Sequence, residues 1–165
     1  SIEDFLDYYA NVRARTRRVA QLIPEEHLEW TYQSGKFTLG DLVRHIAAIE
    51  RWLYAETVHG RPSVYHGCGP ELAAGKAAVL DYLDSLHQES LSLFKLLTPE
   101  QLQAKVQTPT GHPITCWKWL RLLPEHEIHH RGQIYLHLNQ LGVSTPPLYG
   151  LSSEEVIELS KPPAP

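Results

Sequence analysis

The sequence predicts an all-α protein, a four-helix bundle, on three observations. Apolar residues recur at three- and four-residue steps through four long segments. Capping and breaking residues bound those segments where helices must start and stop. No run alternates apolar and polar residues as a half-buried strand requires, and no internal repeat is present.

The first helix is marked by Phe5, Tyr9, Val12, Thr16, Val19 and Ile23, and Pro24 ends it. Pro24-Glu25-Glu26 can open one extra turn, since proline suits the first helical position and acids suit a helix N-terminus. Thr38-Leu39-Gly40-Asp41 is a capping box with Asp in place of the usual Glu or Gln. The stripe of the second helix comes next as Leu42, Ile46, Ile49, Trp52 and Leu53, with His45 in its middle. Residues Gly60 to Pro70 are dense in breakers and read as a loop. A third helix runs from Glu71 to Leu97, with Val79, Leu83, Leu86, Leu93, Phe94 and Leu97 inward.

Thr98-Pro99-Glu100-Gln101 is a second capping box, with proline at the first helical position of a short helix. Val106 to Ile114, broken by Pro109, Gly111 and Pro113, is a small hairpin or an ordered loop. The fourth long helix spans Thr115 to Leu141, where Gly142 caps it and Pro146-Pro147 prevent its resumption. Pro124 lies inside it and deprives the Leu120 carbonyl of its partner, so a kink is expected just before the histidines. Ser152 to Leu159 can form one or two more turns. Residues 1–160 make a single domain and 161–165 a disordered Pro-rich tail.

At 165 residues and 42% hydrophobic content, one domain has core enough to fold without staples. A net charge of −4 gives no global attraction to phosphate backbones, which argues against a nucleic-acid partner. The one basic run, Arg13-Ala14-Arg15-Thr16-Arg17-Arg18, reads as a solvated helix face. Two cysteines, Cys68 and Cys116, form no disulfide framework. No secretory leader and no bilayer-spanning apolar run is recognisable, so the expectation is a cytoplasmic protein without a membrane partner.

Ten histidines, dispersed from His27 to His137, are many for this length. His126 and His130 stand four residues apart, within about 40° of each other on a helix, so both can reach one ion. They share a stripe with Leu123, Ile134, His137, Leu138 and Leu141, and His45 faces the bundle by the same argument. If the second and fourth helices are neighbours, three imidazoles meet. Three neutral nitrogens with an open fourth position suit a catalytic divalent metal. The bland alternative is a set of core histidines, each with its own partner; burying several polar rings without a shared one is costly.

Glu127 and His129 lie about 80° to either side of the His126/His130 direction, as flanking groups. Glu127 is a candidate general base or, equally, a surface carboxylate. Arg131 and Gln133 can pin neighbouring helices, and Gly132 permits close helix approach. Tyr65-His66-Gly67-Cys68, and His112 with Cys116, look metal-like by residue type alone, without a second half at zinc-finger spacing.

Read as letters, His126-Glu127-Ile128-His129-His130 is also the zinc metalloprotease string His-Glu-x-x-His. The extended form of that motif needs glycine at 133 and histidine at 136, where this chain has Gln133 and Leu136. Glu154 and Glu155, the candidates for a third ligand, come after the Pro-rich break. The protease reading fails.

With His45 in Leu42-Val43-Arg44-His45-Ile46-Ala47 and the run His126-x-x-x-His130-Arg131-Gly132-Gln133, the chain resembles the DinB/YfiT-like superfamily of metal-dependent enzymes. Gly111, Thr115 and the segment Leu141-Gly142-Val143 to Pro147-Leu148-Tyr149-Gly150-Leu151 extend the resemblance over nearly the whole length. It implies an up-down four-helix bundle in which His45, His126 and His130 hold a divalent ion, zinc or nickel most often, with manganese or iron as others. It also implies a small-molecule substrate and allows a homodimer. Members with assigned activities transfer bacillithiol or mycothiol, or are thiol-dependent isomerases. The leading expectation is a low-molecular-weight-thiol S-transferase acting on electrophilic small molecules. The alternatives are a hydrolase using metal-activated water and a metal- or ligand-binding stress-response protein without turnover.

Overall fold

The computed structural model describes residues 1–164. Four long helices carry the fold: α1 (Ile2–Ala20), α2 (Leu39–Ile49), α3 (Lys76–Phe94) and α5 (Cys116–Gln140). Between the last two lie a short α4 (Pro99–Gln103) and an antiparallel hairpin, β1 (Lys105–Gln107) with β2 (Pro113–Thr115), in which Val106 pairs with Ile114. A single 3₁₀ turn covers Glu25–His27, and α6 (Ser153–Leu159) closes the chain. Of the tail, residues 161–164 are exposed and without helix or strand; Pro165 lies outside the described residues.

The caps form as the sequence predicts. Asp41 N–H donates to the Thr38 hydroxyl at 2.9 Å while Thr38 N–H donates back to the Asp41 carboxylate at 3.0 Å. Thr98 and Gln101 close the same box before α4. Helix α3 begins five residues later than expected because Gly75, at φ +86°, leaves helical geometry just before Lys76. Helix α5 runs unbroken through Pro124.

Helix α2 departs from its expected stripe. From Glu50 to Tyr54 it widens into a π turn before a last α turn, Ala55–Thr57. The extra residue rotates the rest of the helix, so Tyr54, Ala55 and Val58 are buried while Trp52 and Leu53 are only half-buried. Such π insertions are frequent where a helix serves a functional site.

The buried apolar residues divide into two clusters. One gathers Leu6, Tyr9, Val12, Tyr54, Phe94, Trp119 and Leu123. The other gathers Val19, Ile23, Leu42, Ile46, Leu83, Leu86, Ile134 and Leu138. Along the chain, α1 and α5 pass from the first cluster to the second, whereas α2 and α3 pass from the second to the first. The four helices therefore run up, down, down and up: the four-helix bundle is as expected, with α2 and α3 parallel where simple up-down alternation would make them antiparallel. In cross-section α1 packs on α3 and α5, and α2 packs on the same two. Because α2 and α3 are parallel, residues 58–75 must travel back along the bundle, and this return segment passes over α2.

At the level where one cluster gives way to the other, each long helix places polar residues in the core. Tyr9 and Arg13 come from α1, Glu50 from the α2 π turn, His87 from α3 and Glu127 from α5, all buried. The Arg13 guanidinium donates to both Glu127 oxygens at 2.9 Å and also pairs with Glu50. The Tyr9 hydroxyl lies 2.5 Å from Glu50 and 2.6 Å from Glu127, and His87 Nδ1 lies 2.9 Å from Glu50. Burial would raise the Glu50 carboxyl, but Arg13 and His87 hold it at about 2. The expectation that Arg13 belongs to a solvated face is corrected: it lies on the Tyr9–Val12–Thr16 stripe, where two buried carboxylates neutralise it.

Candidate metal centre

His45 projects from α2 and His126 and His130 project from α5 at the edge of the interface between these antiparallel helices. One ring nitrogen or another from each of the three lies within 4.8 Å of its counterparts. The His45 and His126 Nε2 atoms are 3.0 Å apart, and all three ring centroids lie within 4.9 Å of one another. The sequence expectation that these three rings share a pocket is what the fold produces. They sit at the rim of the core rather than in its centre, which Leu123, Glu127, Ile134 and Leu138 occupy.

The electrostatics keep the rings neutral. Burial, reinforced by His130, pushes His45 down to about 4, and burial with the neighbouring histidines pushes His126 down to about 3. His130 is lowered as well, by burial, with its bond to Gln133 acting against the shift. Neutral imidazoles offer lone pairs to a cation without repelling it.

One neighbour fixes which nitrogen of its histidine carries the proton, and a second holds another ring in place. Gln133 Oε1 lies 2.8 Å from His130 Nδ1, and a carbonyl oxygen can only accept, so Nδ1 holds the hydrogen and Nε2 the free lone pair. The Tyr65 hydroxyl lies 2.8 Å from His45 Nδ1, where it can donate or accept, and holds the His45 ring in its orientation. His126 Nδ1 is buried with no partner. Three neutral imidazoles with a ring nitrogen of each within 4.8 Å of the others, two of the rings held by outer hydrogen bonds, form a donor set that suits a divalent cation.

Local packing explains why Tyr65 arrives there. Arg44, beside His45 and fully buried, donates to the Cys68 carbonyl at 2.7 Å and the Ala73 carbonyl at 2.9 Å, and pairs with Glu29 and Asp41. It ties the return segment to α2. Gly40 leaves room for this: a Cβ there would stand 2.7 Å from Glu29 and 3.0 Å from Arg44. Phe37, from the segment before α2, lays its ring 5.1 Å from His45 and 6.4 Å from His130.

The remaining sequence candidates fall elsewhere. Glu127 is not in the three-histidine group; it is wholly buried, with Arg13 and Tyr9 on its oxygens, so the candidate base is instead a structural carboxylate. His129 is exposed, its ring 4.9 Å from His130. Arg131 does pin a neighbour, donating to the Val12 carbonyl and the Tyr149 hydroxyl, but Gln133 serves its own helix through His130. Cys68 and Cys116 are free, buried thiols, and burial raises both. Sequence reasoning missed Tyr65 and Phe37 as neighbours of His45, since neither lies on a periodic helix.

A cleft of about 630 Å³ opens beside the histidines, lined by Tyr32, Lys36, Phe37, His130, Gln133 and His137 among others. Among the described residues no helix is long and apolar enough to cross a membrane.

Known proteins place this arrangement. The curated protein YjoA of Bacillus subtilis (strain 168), itself uncharacterized, is 24% identical over 148 residues, covering 87% of this chain and 93% of its own. A protein of Bacillus pumilus (strain SAFR-032) named "Putative metal-dependent hydrolase" is 26% identical, covering 81% of this chain and 82% of its own. The crystal structure of YjoA, a DinB-like protein, superposes with a TM-score of 0.73 at 21% identity, over 90% of this chain and 99% of that one. That of YfiT from Bacillus subtilis, described as "a probable metal-dependent hydrolase with an unusual four-helix bundle topology", gives 0.69 at 21% identity, over 87% and 89%. A mycothiol-dependent maleylpyruvate isomerase gives 0.66 at 12% identity, over 81% of this chain and 60% of that one. Their common fold is this one. The DinB superfamily model matches residues 8–134, which take in all three histidines, the whole of α2 and α5 as far as Ile134, and the chain belongs to that superfamily.

Proposed function

We propose that His45, His126 and His130 hold a divalent metal, zinc or nickel first, and that the protein is a metal-dependent S-transferase using a low-molecular-weight thiol against electrophilic small molecules. A bound divalent ion supplies Lewis acidity, favouring the thiolate over the thiol. The chain's own part is to present three neutral nitrogens, to orient two of them through Tyr65 and Gln133, and to leave an open cleft on the His130 side. The arrangement that supports transfer over other chemistry is the withdrawal of Glu127. With that carboxylate held by Arg13 and Tyr9, the three-histidine group contains no carboxylate base. A thiol, with an ordinary pKa near 8.5, needs less help to ionise than water does. The mycothiol-dependent structural neighbour fits the same chemistry.

Hydrolysis is the second reading, favoured by the names of the Bacillus pumilus relative and of YfiT. Zinc-loaded or nickel-loaded protein incubated with an arylating electrophile such as 1-chloro-2,4-dinitrobenzene, with bacillithiol or with buffer alone, separates the two. Thioether formation that needs both metal and thiol is the expected result. Turnover of equal rate without thiol would overturn the transferase in favour of the hydrolase.

A further inference from the structure

Three arginines are buried among the described residues, and two of them are neutralised. Arg13 meets Glu50 and Glu127, and Arg44 meets Glu29 and Asp41. Arg131, with 3% of its surface exposed, forms no ion pair among the described residues. Its guanidinium donates only to neutral oxygens, the Val12 carbonyl at 3.1 Å and the Tyr149 hydroxyl at 3.0 Å. Glu127 stands one turn away on the same helix, but Arg13 and Tyr9 take its oxygens. Arginine is rarely buried unless paired, because a charge taken out of water without a counter-charge is costly.

Arg131 lines a pocket of about 550 Å³ between α5 and the segment that follows it. On α5 the pocket takes Ile128, Arg131, Gly132 and Tyr135, a stripe centred about 150° around the helix from His130, so it is separate from the cleft beside the histidines. Opposite stand Leu148 and Tyr149, and the Tyr135 hydroxyl holds their segment by donating to the Pro146 carbonyl at 3.0 Å. Gly132 opens the floor: a Cβ there would meet nothing within 4 Å, so the glycine makes space for a ligand-sized body rather than for a second helix.

Two donors remain unused at this pocket. Arg131 Nε has no hydrogen-bond partner among the described residues and is not a sealed atom. The Tyr149 hydroxyl accepts from Arg131 and donates to none of the described residues. Arg15 lies over the Tyr149 ring at 5.0 Å, also without an ion pair among the described residues, which adds a second positive charge. Glu155, the acid at the α6 end, is folded onto the Ser152 N–H at 2.8 Å.

We propose that this pocket is a second binding site, for a small monocarboxylate with an apolar body. The carboxylate accepts from Arg131 Nε–H and from the Tyr149 hydroxyl, and the body lies over Gly132 against Ile128, Tyr135 and Leu148. An apolar pocket with a few convergent polar groups is the usual form of a small-molecule site, and guanidinium with carboxylate is among the stronger pairings. The site needs no metal and stands whichever reaction the histidines serve.

2-Naphthylacetate and 2-naphthylacetamide, alike in shape and different in charge, test it. Binding of each to the whole metal-free chain is measured by calorimetry, so that no carboxylate–metal bond contributes. The acid should bind about tenfold more tightly than the amide, as a hydrogen bond to a charged group allows. Gly132→Leu fills the floor without a clash and favours the helix, and it should abolish binding of both. Tyr149→Phe, at a side chain 72% exposed, should shrink the advantage of the acid, and Arg131→Gln, checked for folding by circular dichroism, should remove it. His130→Ala should leave binding unchanged. Equal binding of acid and amide to wild-type protein, or binding of neither, overturns the site. Binding kept in Gly132→Leu and lost in His130→Ala overturns it too, by putting the acid in the histidine cleft.

Discussion

Arg13 grips both oxygens of Glu127, Nε to Oε1 and Nη2 to Oε2, each at 2.9 Å. Successive residues on a helix are about 100° apart, so turning Glu127 toward α1 leaves His126 and His130 facing α2. The ion pair thereby sets the rotation of α5 that the histidines need. Removing one partner of a buried pair leaves the other charge exposed to a low-dielectric interior, at about 3–5 kcal/mol. Glu127→Ala should therefore lower unfolding free energy by roughly that amount in urea titrations. A variant of unchanged stability whose only defect is in turnover would restore Glu127 to the role of base.

Acid should destabilise the metal-free protein in two steps. The folded pKa values of His45 and His126, about 4 and about 3, lie below the ordinary value of 6.5. Below pH 6.5 the unfolded chain binds protons that the folded one refuses, so stability falls as pH drops from about 6.5 toward 4 for His45 and toward 3 for His126. Glu50 adds a second window: its depressed pKa contributes stability above about 4.5 that is lost as pH falls toward about 2. That lower loss amounts to about 3 kcal/mol. Thermal unfolding measured against pH checks both, since His126→Ala should flatten the upper window and Glu50→Gln the lower one.

The residues that escaped the sequence reading share one cause. Helix periodicity found the stripes, the capping boxes and the three histidines because those signals are local. Arg13, Arg44, Glu50 and Glu127 are buried although their residue types are almost always exposed, and only a partner on another element makes that tolerable. A trace was present for two of them. Arg13 stands four residues from Tyr9, and Glu127 falls in the series Leu123, Glu127, Ile134, Leu138, which is the true inner stripe of α5. The π turn left no such trace, because an extra residue in a helix changes facing without changing composition. Tyr65 reaches His45 only because α2 and α3 run parallel and the connection must double back, a consequence of topology that no window of sequence contains.

Metal should report on the three histidines through stability as well as binding. A ligand at one hundred times its dissociation constant stabilises the folded state by about 2.7 kcal/mol. Zinc should raise the thermal midpoint of wild-type protein, and a chelator should reverse the rise. In His45→Ala and in His130→Ala the rise should disappear while the apo midpoint stays near that of wild type, because both rings are only half-buried. A zinc-induced rise of full size in either variant would remove that residue from the ligand set.

Tyr65 and Gln133 are expected to act on metal affinity without touching the metal. Each bonds a ligand's Nδ1, at 2.8 Å, and so holds that ring with its Nε2 side toward the shared point. Loss of such an outer partner frees the ring to rotate and to adopt the wrong tautomer, which costs about 10- to 100-fold in metal affinity. Tyr65→Phe and Gln133→Leu should each weaken zinc binding by that factor in competition with a chromophoric chelator, with the number of ions per chain still one. Gln133→Glu sets a stricter condition: a carboxylate accepts the same Nδ1 hydrogen more strongly, so its affinity should match or exceed that of wild type. Unchanged affinity in both Gln133→Leu and Gln133→Glu would mean that His130 is oriented by packing against Phe37 and His45 alone.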